Sequence, residues 1–192
     1  NAALRHGDAA LLDSLDEVLA KNGTRLGEHR TSYAARIEKE IGAMLASLSE
    51  SVSEVDISYH DGWAGDTYLE SLKESRRRDL DRSMTSVGPH RADLKFRCGK
   101  QKARAVLSRG EQKVFAAALI LTQAEILEQT VETPLLLLDD LASEFDRHHF
   151  DRVLARAQAL GSQIWVTGTE KPAFPVDHKV FHVEQGVVRQ VV

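Results

Sequence analysis

Four consecutive leucines, Leu135–Leu138, run directly into a pair of carboxylates, Asp139 and Asp140. A strand with no polar position implies cover on both faces, and so a central, parallel place in a sheet. In open α/β sheets the C-terminal ends of such strands face the crevice where ligands bind. Buried unpaired charge is costly, so packing alone does not account for two adjacent aspartates here; the structural alternative is a helix N-cap at the strand's end. Mg²⁺ keeps several waters and takes few carboxylates. Asp139 and Asp140 are therefore candidates for holding a metal, directly or through water, and for orienting a bound water; the residue types alone leave open which does which.

Upstream lies Leu107-Ser108-Arg109-Gly110-Glu111-Gln112-Lys113, a serine–glycine turn that opens an amphipathic helix. The helix is predicted to run to about Gln129, with Val114, Ala117/Ala118, Ile120/Leu121 and Ile126/Leu127 as its apolar positions. A helix N-terminus offers unpaired N–H groups and roughly half a positive charge. Ser108 adds a hydroxyl, and Gly110 lets an anion approach the backbone closely. Taken alone this is weak evidence, because most serines at such positions are only N-caps.

Residues 8 to about 50 carry one apolar stripe at helical spacing: Leu11, Leu15, Val18/Leu19, Leu26, Tyr33, Ile37, Ile41, Met44/Leu45 and Leu48. A helix of about 40 residues spans roughly 60 Å, which predicts a projecting arm; the alternative is a hairpin of two shorter helices. Gly23 and Gly27 weaken the helix by about 1 kcal/mol each against alanine, leaving open whether it is continuous through 22–27. Ser53–Tyr59 alternates like a strand, closed by Asp61-Gly62, and 66–82 reads as a helix with Arg76, Arg77 and Arg78 on its outer face. A turn at Gly88-Pro89 precedes strands at Ala92–Arg97 and near Lys102–Val106. A helix at about Arg147–Leu160, a strand at Gln163–Thr167 and a hairpin around Gln185-Gly186 complete an α/β pattern. The expected division is a helical arm segment at 1–52 and a lobe at 53–192.

Composition excludes more than it identifies. The 42% apolar and 28% charged content fits a globular chain, and no apolar run reaches the roughly 18 residues of a membrane span. A single cysteine, Cys98, cannot form an internal disulfide and suits a reducing, cytoplasmic setting. With a net charge of −4, any DNA contact rests on local clusters such as Arg76–Arg78.

In order and spacing, the serine–glycine turn and the Leu135–Asp140 strand resemble the signature motif and Walker B strand of an ABC-type ATPase head. Leu141-Ala142-Ser143-Glu144-Phe145-Asp146 is similar to the D-loop of these proteins, with Ser143 and Asp146 as its polar positions. Val166-Thr167-Gly168-Thr169-Glu170 falls at the switch segment, with Thr167 or Thr169 where most ABC proteins have histidine. The Leu-Ser-Arg-Gly form of the signature, Asp139-Asp140 in place of Asp-Glu, and Gly88-Pro89-His90-Arg91-Ala92-Asp93 together resemble the RecF family of recombination-repair ATPases, related to SMC heads. No Gly-x-x-x-x-Gly-Lys-[Ser/Thr] occurs, and the chain starts at Asn1 rather than Met. It is therefore expected to be a C-terminal part lacking the Walker A lobe: a partial ABC-type head with a long α-helical arm segment.

The resemblance implies an ATP- and Mg²⁺-dependent homodimer that sandwiches two nucleotides. Ser108, Arg109, Gly110 and Glu111 act on the partner's ATP, Asp139 holds Mg²⁺, Asp140 is catalytic, and Thr167 or Thr169 contacts the γ-phosphate. It also implies DNA as a partner at single-strand/double-strand junctions, action with RecO and RecR in loading RecA, and no membrane. The alternative is a helical-arm interaction scaffold with a degenerate, non-hydrolysing head. An SMC-like structural ATPase is disfavoured, since the arm segment is short. His90 and Arg91 belong to a family motif whose role the sequence leaves open.

Overall fold

The computed structural model describes residues 1–52, 54–129, 134–169 and 177–191. After a short helix α1 (Ala2–His6), α2 runs from Ala9 to Leu48 without interruption, 40 residues long and capped by the Asp8 side chain on the Leu11 N–H. The hairpin alternative is thus excluded, and the helix is continuous through Gly23 and Gly27. Both glycines are buried points of close approach. A Cβ at Gly23 would lie 2.5 Å from Tyr68 Cε1, and one at Gly27 would lie 2.8 Å from Asp61 Oδ1. The covered face is Leu12, Asp16, Gly23, Gly27, Ala34, Ile37, Ile41, Met44, Leu45 and Leu48, at steps mostly of three or four. In the first half of α2 this face lies beside the apolar stripe, since Leu11, Leu15, Val18, Leu19 and Leu26 are all exposed.

Strand β1 (Asp56–His60) pairs antiparallel with β2 (Asp93–Cys98), bringing Ile57 opposite Phe96 and Tyr59 opposite Leu94. Ser53, the first residue of the expected strand, lies outside the described residues. Between the two strands, α3 (Tyr68–Arg82) is capped by Thr67 and packs on the first half of α2. A 3-10 turn at Pro89–Arg91 leads into β2. The strand expected near Lys102–Val106 is only Gln101–Lys102 (β3); Ala103–Val106 is a helical turn, α4, which buries Ala103 and the following Leu107 one turn apart.

Helix α5 (Arg109–Glu128) lies against the second half of α2. Strand β4 (Leu135–Leu138) is joined through α6 (Leu141–Glu144) and α7 (Arg147–Ala159) to β5 (Gln163–Val166), its parallel partner, with Leu135 opposite Gln163 and Leu138 opposite Val166. The core gathers Ile37, Ile41, Met44 and Leu48 from α2, Phe115, Ala118 and Leu121 from α5, Phe150, Val153 and Leu154 from α7, with Ile57 and Leu136. The α/β class and the long helix are as expected, but cover on both faces of β4 is not. Leu136 is buried, whereas Leu135 and Leu137 are 54% and 71% exposed. A final hairpin, β6 (Phe181–Glu184) and β7 (Val187–Gln190), turns on Gln185 and Gly186, both at positive φ. It meets β5 through Phe181, stacked on Trp165 with ring centroids 6.0 Å apart. Among the described residues no helix is long and apolar enough to cross a membrane.

Candidate functional site

Parallel pairing of β4 and β5 brings their C-terminal ends together, and with them Asp139, Asp140 and Thr167. The Thr167 N–H donates to the Leu138 carbonyl at 3.0 Å, extending the ladder by one step. The Thr167 hydroxyl donates to Asp139 Oδ1 and accepts from the Asp140 N–H at 2.9 Å. Asp140 has φ +49, a left-handed conformation that aspartate and asparagine tolerate better than other side-chain-bearing residues. Its carbonyl accepts from the Ser143 N–H and hydroxyl, both at 3.0 Å. The backbone of Asp140 is thereby held from both sides. Thr169 is exposed, and Glu170 lies outside the described residues. Among the described residues no three or more His, Cys, Asp or Glu side chains are placed together to hold a metal ion by themselves. One or two carboxylates is nonetheless the usual protein share for Mg²⁺, the remaining positions going to phosphate and water, so Asp139 and Asp140 fit that ion.

Ser108 caps α5 as part of a capping box. Its hydroxyl accepts from the Glu111 N–H at 3.3 Å, and Glu111 Oε2 accepts from the Ser108 N–H at 2.8 Å. These bonds, the Ser108 backbone N–H first, hold the Glu111 carboxyl below its ordinary range. Glu111, expected to contact ATP, is in this structure bonded to the start of its own helix. Gly110 has open space where a Cβ would stand, and Ser108, Arg109 and Gly110 are exposed. Lys113 Nζ pairs with Glu144 Oε2 at 2.7 Å and donates to the Glu144 carbonyl at 3.2 Å. Helix α5 is thus tied to the segment following Asp140, a link between distant residues for which the sequence carries no signal.

Asp146 caps α7, accepting from the His149 N–H at 2.9 Å and facing His149 Nδ1 at 2.8 Å. The His149 backbone N–H, with its ring, keeps the Asp146 carboxyl below its ordinary range. The arginine run divides. Arg76, expected on an outer face, turns onto α2 and pairs with Asp13 at 2.7 Å and with buried Asp16 at 2.5 Å. Arg78 donates to the Ser86 hydroxyl at 2.9 Å. Arg77 is exposed and, among the described residues, has neither ion-pair nor hydrogen-bond partner.

The Gly88–Asp93 motif is a junction. The Gly88 N–H donates to the Gly62 carbonyl, Gly88 takes φ +129 against Tyr68, and Arg30 of α2 donates to the Pro89 carbonyl at 2.7 Å. His90 Nε2 lies 3.1 Å from the Thr85 carbonyl, while the Arg91 side chain is exposed. The motif ties the end of β1 and the start of α3 to α2.

No protein-family model matches the chain. Among curated proteins it is 35% identical to the DNA replication and repair protein RecF of Xanthomonas euvesicatoria pv. vesicatoria, over 99% of this chain and 54% of that protein. It is 38% identical to RecF of Stenotrophomonas maltophilia, over 98% of this chain and 54% of that protein. Among solved structures it is similar to the recombination mediator protein RecF in the RecFOR pathway, described with ATP (TM-score 0.79, 29% identity, 96% of this chain and 51% of that one). A second, with ATPγS, gives a TM-score of 0.78 at 30% identity, over 95% of this chain and 51% of that one. The chain spans about half the length of the relatives it matches.

Proposed function

We propose that this chain, which belongs to the RecF family of DNA replication and repair proteins over the segment it covers, supplies the signature and Walker B elements of an ATP-driven DNA clamp. Two carboxylates at the C-terminal end of a parallel strand, their backbone pinned by Thr167 and Ser143, carry the proposal. The phosphate-binding loop belongs to the remaining half of the complete protein. So does the cover for Leu135 and Leu137, whose exposure is otherwise unfavourable.

In the composite site Asp139 holds Mg²⁺ and Asp140 receives the proton of the attacking water. Bound Mg²⁺ neutralises phosphate charge. Ser108, Arg109 and Gly110 present a helix start to the γ-phosphate bound by a second copy. Ser143 and Asp146 set the shape of the intervening loop, and Thr169 offers a free hydroxyl to the γ-phosphate. Closure of the homodimer forms the surface for DNA at single-strand/double-strand junctions, with Arg77 as the available cation of its run. RecO and RecR then act with the closed clamp in loading RecA at gaps.

The test uses two variants of the complete protein. Asp140→Asn keeps Mg²⁺–ATP binding and slows hydrolysis at least about tenfold, holding the dimer closed on DNA, whereas Asp139→Asn weakens Mg²⁺ binding and dimer formation. Wild-type turnover in Asp140→Asn would mean that Asp140 is not the catalytic carboxylate, and a complete wild-type protein that binds but does not hydrolyse ATP would favour the scaffold. Equal loss of nucleotide binding in both variants would overturn the assignment of roles.

A further inference from the structure

We propose that Thr167 is the positioning residue of the metal-binding carboxylate, a role distinct from contact with phosphate. A hydroxyl has one hydrogen to give, and Thr167 gives it to Asp139 Oδ1. The same oxygen accepts the Asp140 N–H at 2.9 Å, so both neighbours of the bond between β4 and α6 hang on one atom. Only a group that donates and accepts at once closes this bridge, which among side chains of this size means threonine or serine. The bond to Asp139 is charge-assisted and fixes the rotamer of its carboxylate. It also leaves Oδ2, which has no partner among the described residues, as the oxygen that faces a cation.

Thr167 is itself anchored, its N–H continuing the β4–β5 ladder to Leu138. Strand β5 therefore sets the aim of a ligand carried by β4. While both bonds hold, the Thr167 hydroxyl is not available to a phosphate oxygen, and Thr169 is the hydroxyl left for that contact. This inference rests on the proposed Mg²⁺ role of Asp139. Residues that orient metal ligands in this way typically change metal affinity about 10- to 100-fold when removed.

The experiment titrates MgCl₂ against binding of a fluorescent ATP analogue by the complete protein, comparing wild type with Thr167→Val, Thr167→Ala, Thr167→Ser and Asp139→Asn. Melting temperatures without nucleotide provide the folding control. Both hydroxyl-free variants are expected to need about tenfold or more Mg²⁺ for half-maximal binding, with binding recovered at saturating Mg²⁺ and melting lowered by no more than about 2–4 °C, the loss of the Asp140 N–H bond. Thr167→Ser is expected to restore the wild-type requirement. If Asp139→Asn shifts the requirement and the hydroxyl-free variants do not, this inference alone fails. It fails equally if serine does no better than valine. If Asp139→Asn shifts nothing, the metal role of Asp139 falls and the positioning role with it.

Discussion

Substituting alanine at two glycines of the same helix should move stability in opposite directions. In a helix interior alanine is favoured over glycine by about 1 kcal/mol. At Gly42 a new Cβ would meet nothing within 4 Å. Gly42→Ala should therefore stabilise the chain by up to about 1 kcal/mol, raising the melting temperature by roughly 2–4 °C at this size. At Gly23 the same methyl would lie 2.5 Å from Tyr68 Cε1, 2.7 Å from Cδ1 and 3.1 Å from Pro89 Cγ. The Tyr68 ring cannot swing away easily, being 3% exposed and stacked on Trp63 at 4.6 Å. Overpacking of this kind costs about 1–3 kcal/mol, which exceeds the propensity gain, so Gly23→Ala should destabilise by about 1 kcal/mol. Gly27 falls between, since its nearest neighbour is the movable end of Asp61. Urea unfolding of the three variants, followed by helical circular dichroism, reads the signs directly. A Gly23→Ala chain as stabilised as Gly42→Ala would refute the close approach of α2 to Tyr68.

Arg76→Ala should destabilise by about 2–3 kcal/mol, because it strands the buried Asp16 carboxylate, while Arg77→Ala should stay within about 0.5 kcal/mol yet lower DNA affinity of the complete protein; the reverse pattern in unfolding and DNA titrations would overturn both placements. Glu111 and Asp146 are held below their ordinary pKa values, so their capping bonds are fully present above those values and are lost as pH falls through the lowered ones. Carboxyl titration by NMR should give midpoints below those of the free side chains, and ordinary midpoints would mean that the caps do not form. The isolated chain should self-associate through its open apolar face at Leu135, Leu137 and Trp165; light scattering that shows a monomer at high concentration would contradict this.

Local chemistry was legible in the sequence where neighbours along the chain decide it. Ser108 as a cap, the parallel strand with its terminal aspartates and the Gln185-Gly186 hairpin all follow from short-range rules. Periodicity located α2 but not its covered face in the first half, because hydrophobicity does not reveal which of two adjacent stripes meets a neighbour. There the packed face includes Asp16, Gly23 and Gly27, chosen for an ion pair and for room rather than for apolarity. Gly23, a weak point by helix propensity, is a seat for an aromatic ring. The arginine run read as a solvated face, yet Arg76 finds its partners on α2, far away in sequence. The Thr167 bridge likewise joins two strand ends that only the fold brings together. The Ser108–Glu111 capping box could have been read directly, since serine followed three residues later by glutamate is its signature.

In the proposed two-fold dimer the signature and Walker B elements of this chain serve different nucleotides. Mixing two impaired variants of the complete protein, Ser108→Arg and Asp140→Asn, distinguishes this from a site completed within one subunit. In a mixed dimer one site joins the intact Asp140 of the first subunit to the intact Ser108 of the second, and the other site lacks both. Each mixed dimer has one working site, so ATP turnover should rise above that of either variant alone, with about a quarter of wild type as the value for fully random pairing. Turnover that stays at the level of the separate variants would mean that each subunit completes its own site, and the shared-site account would be wrong.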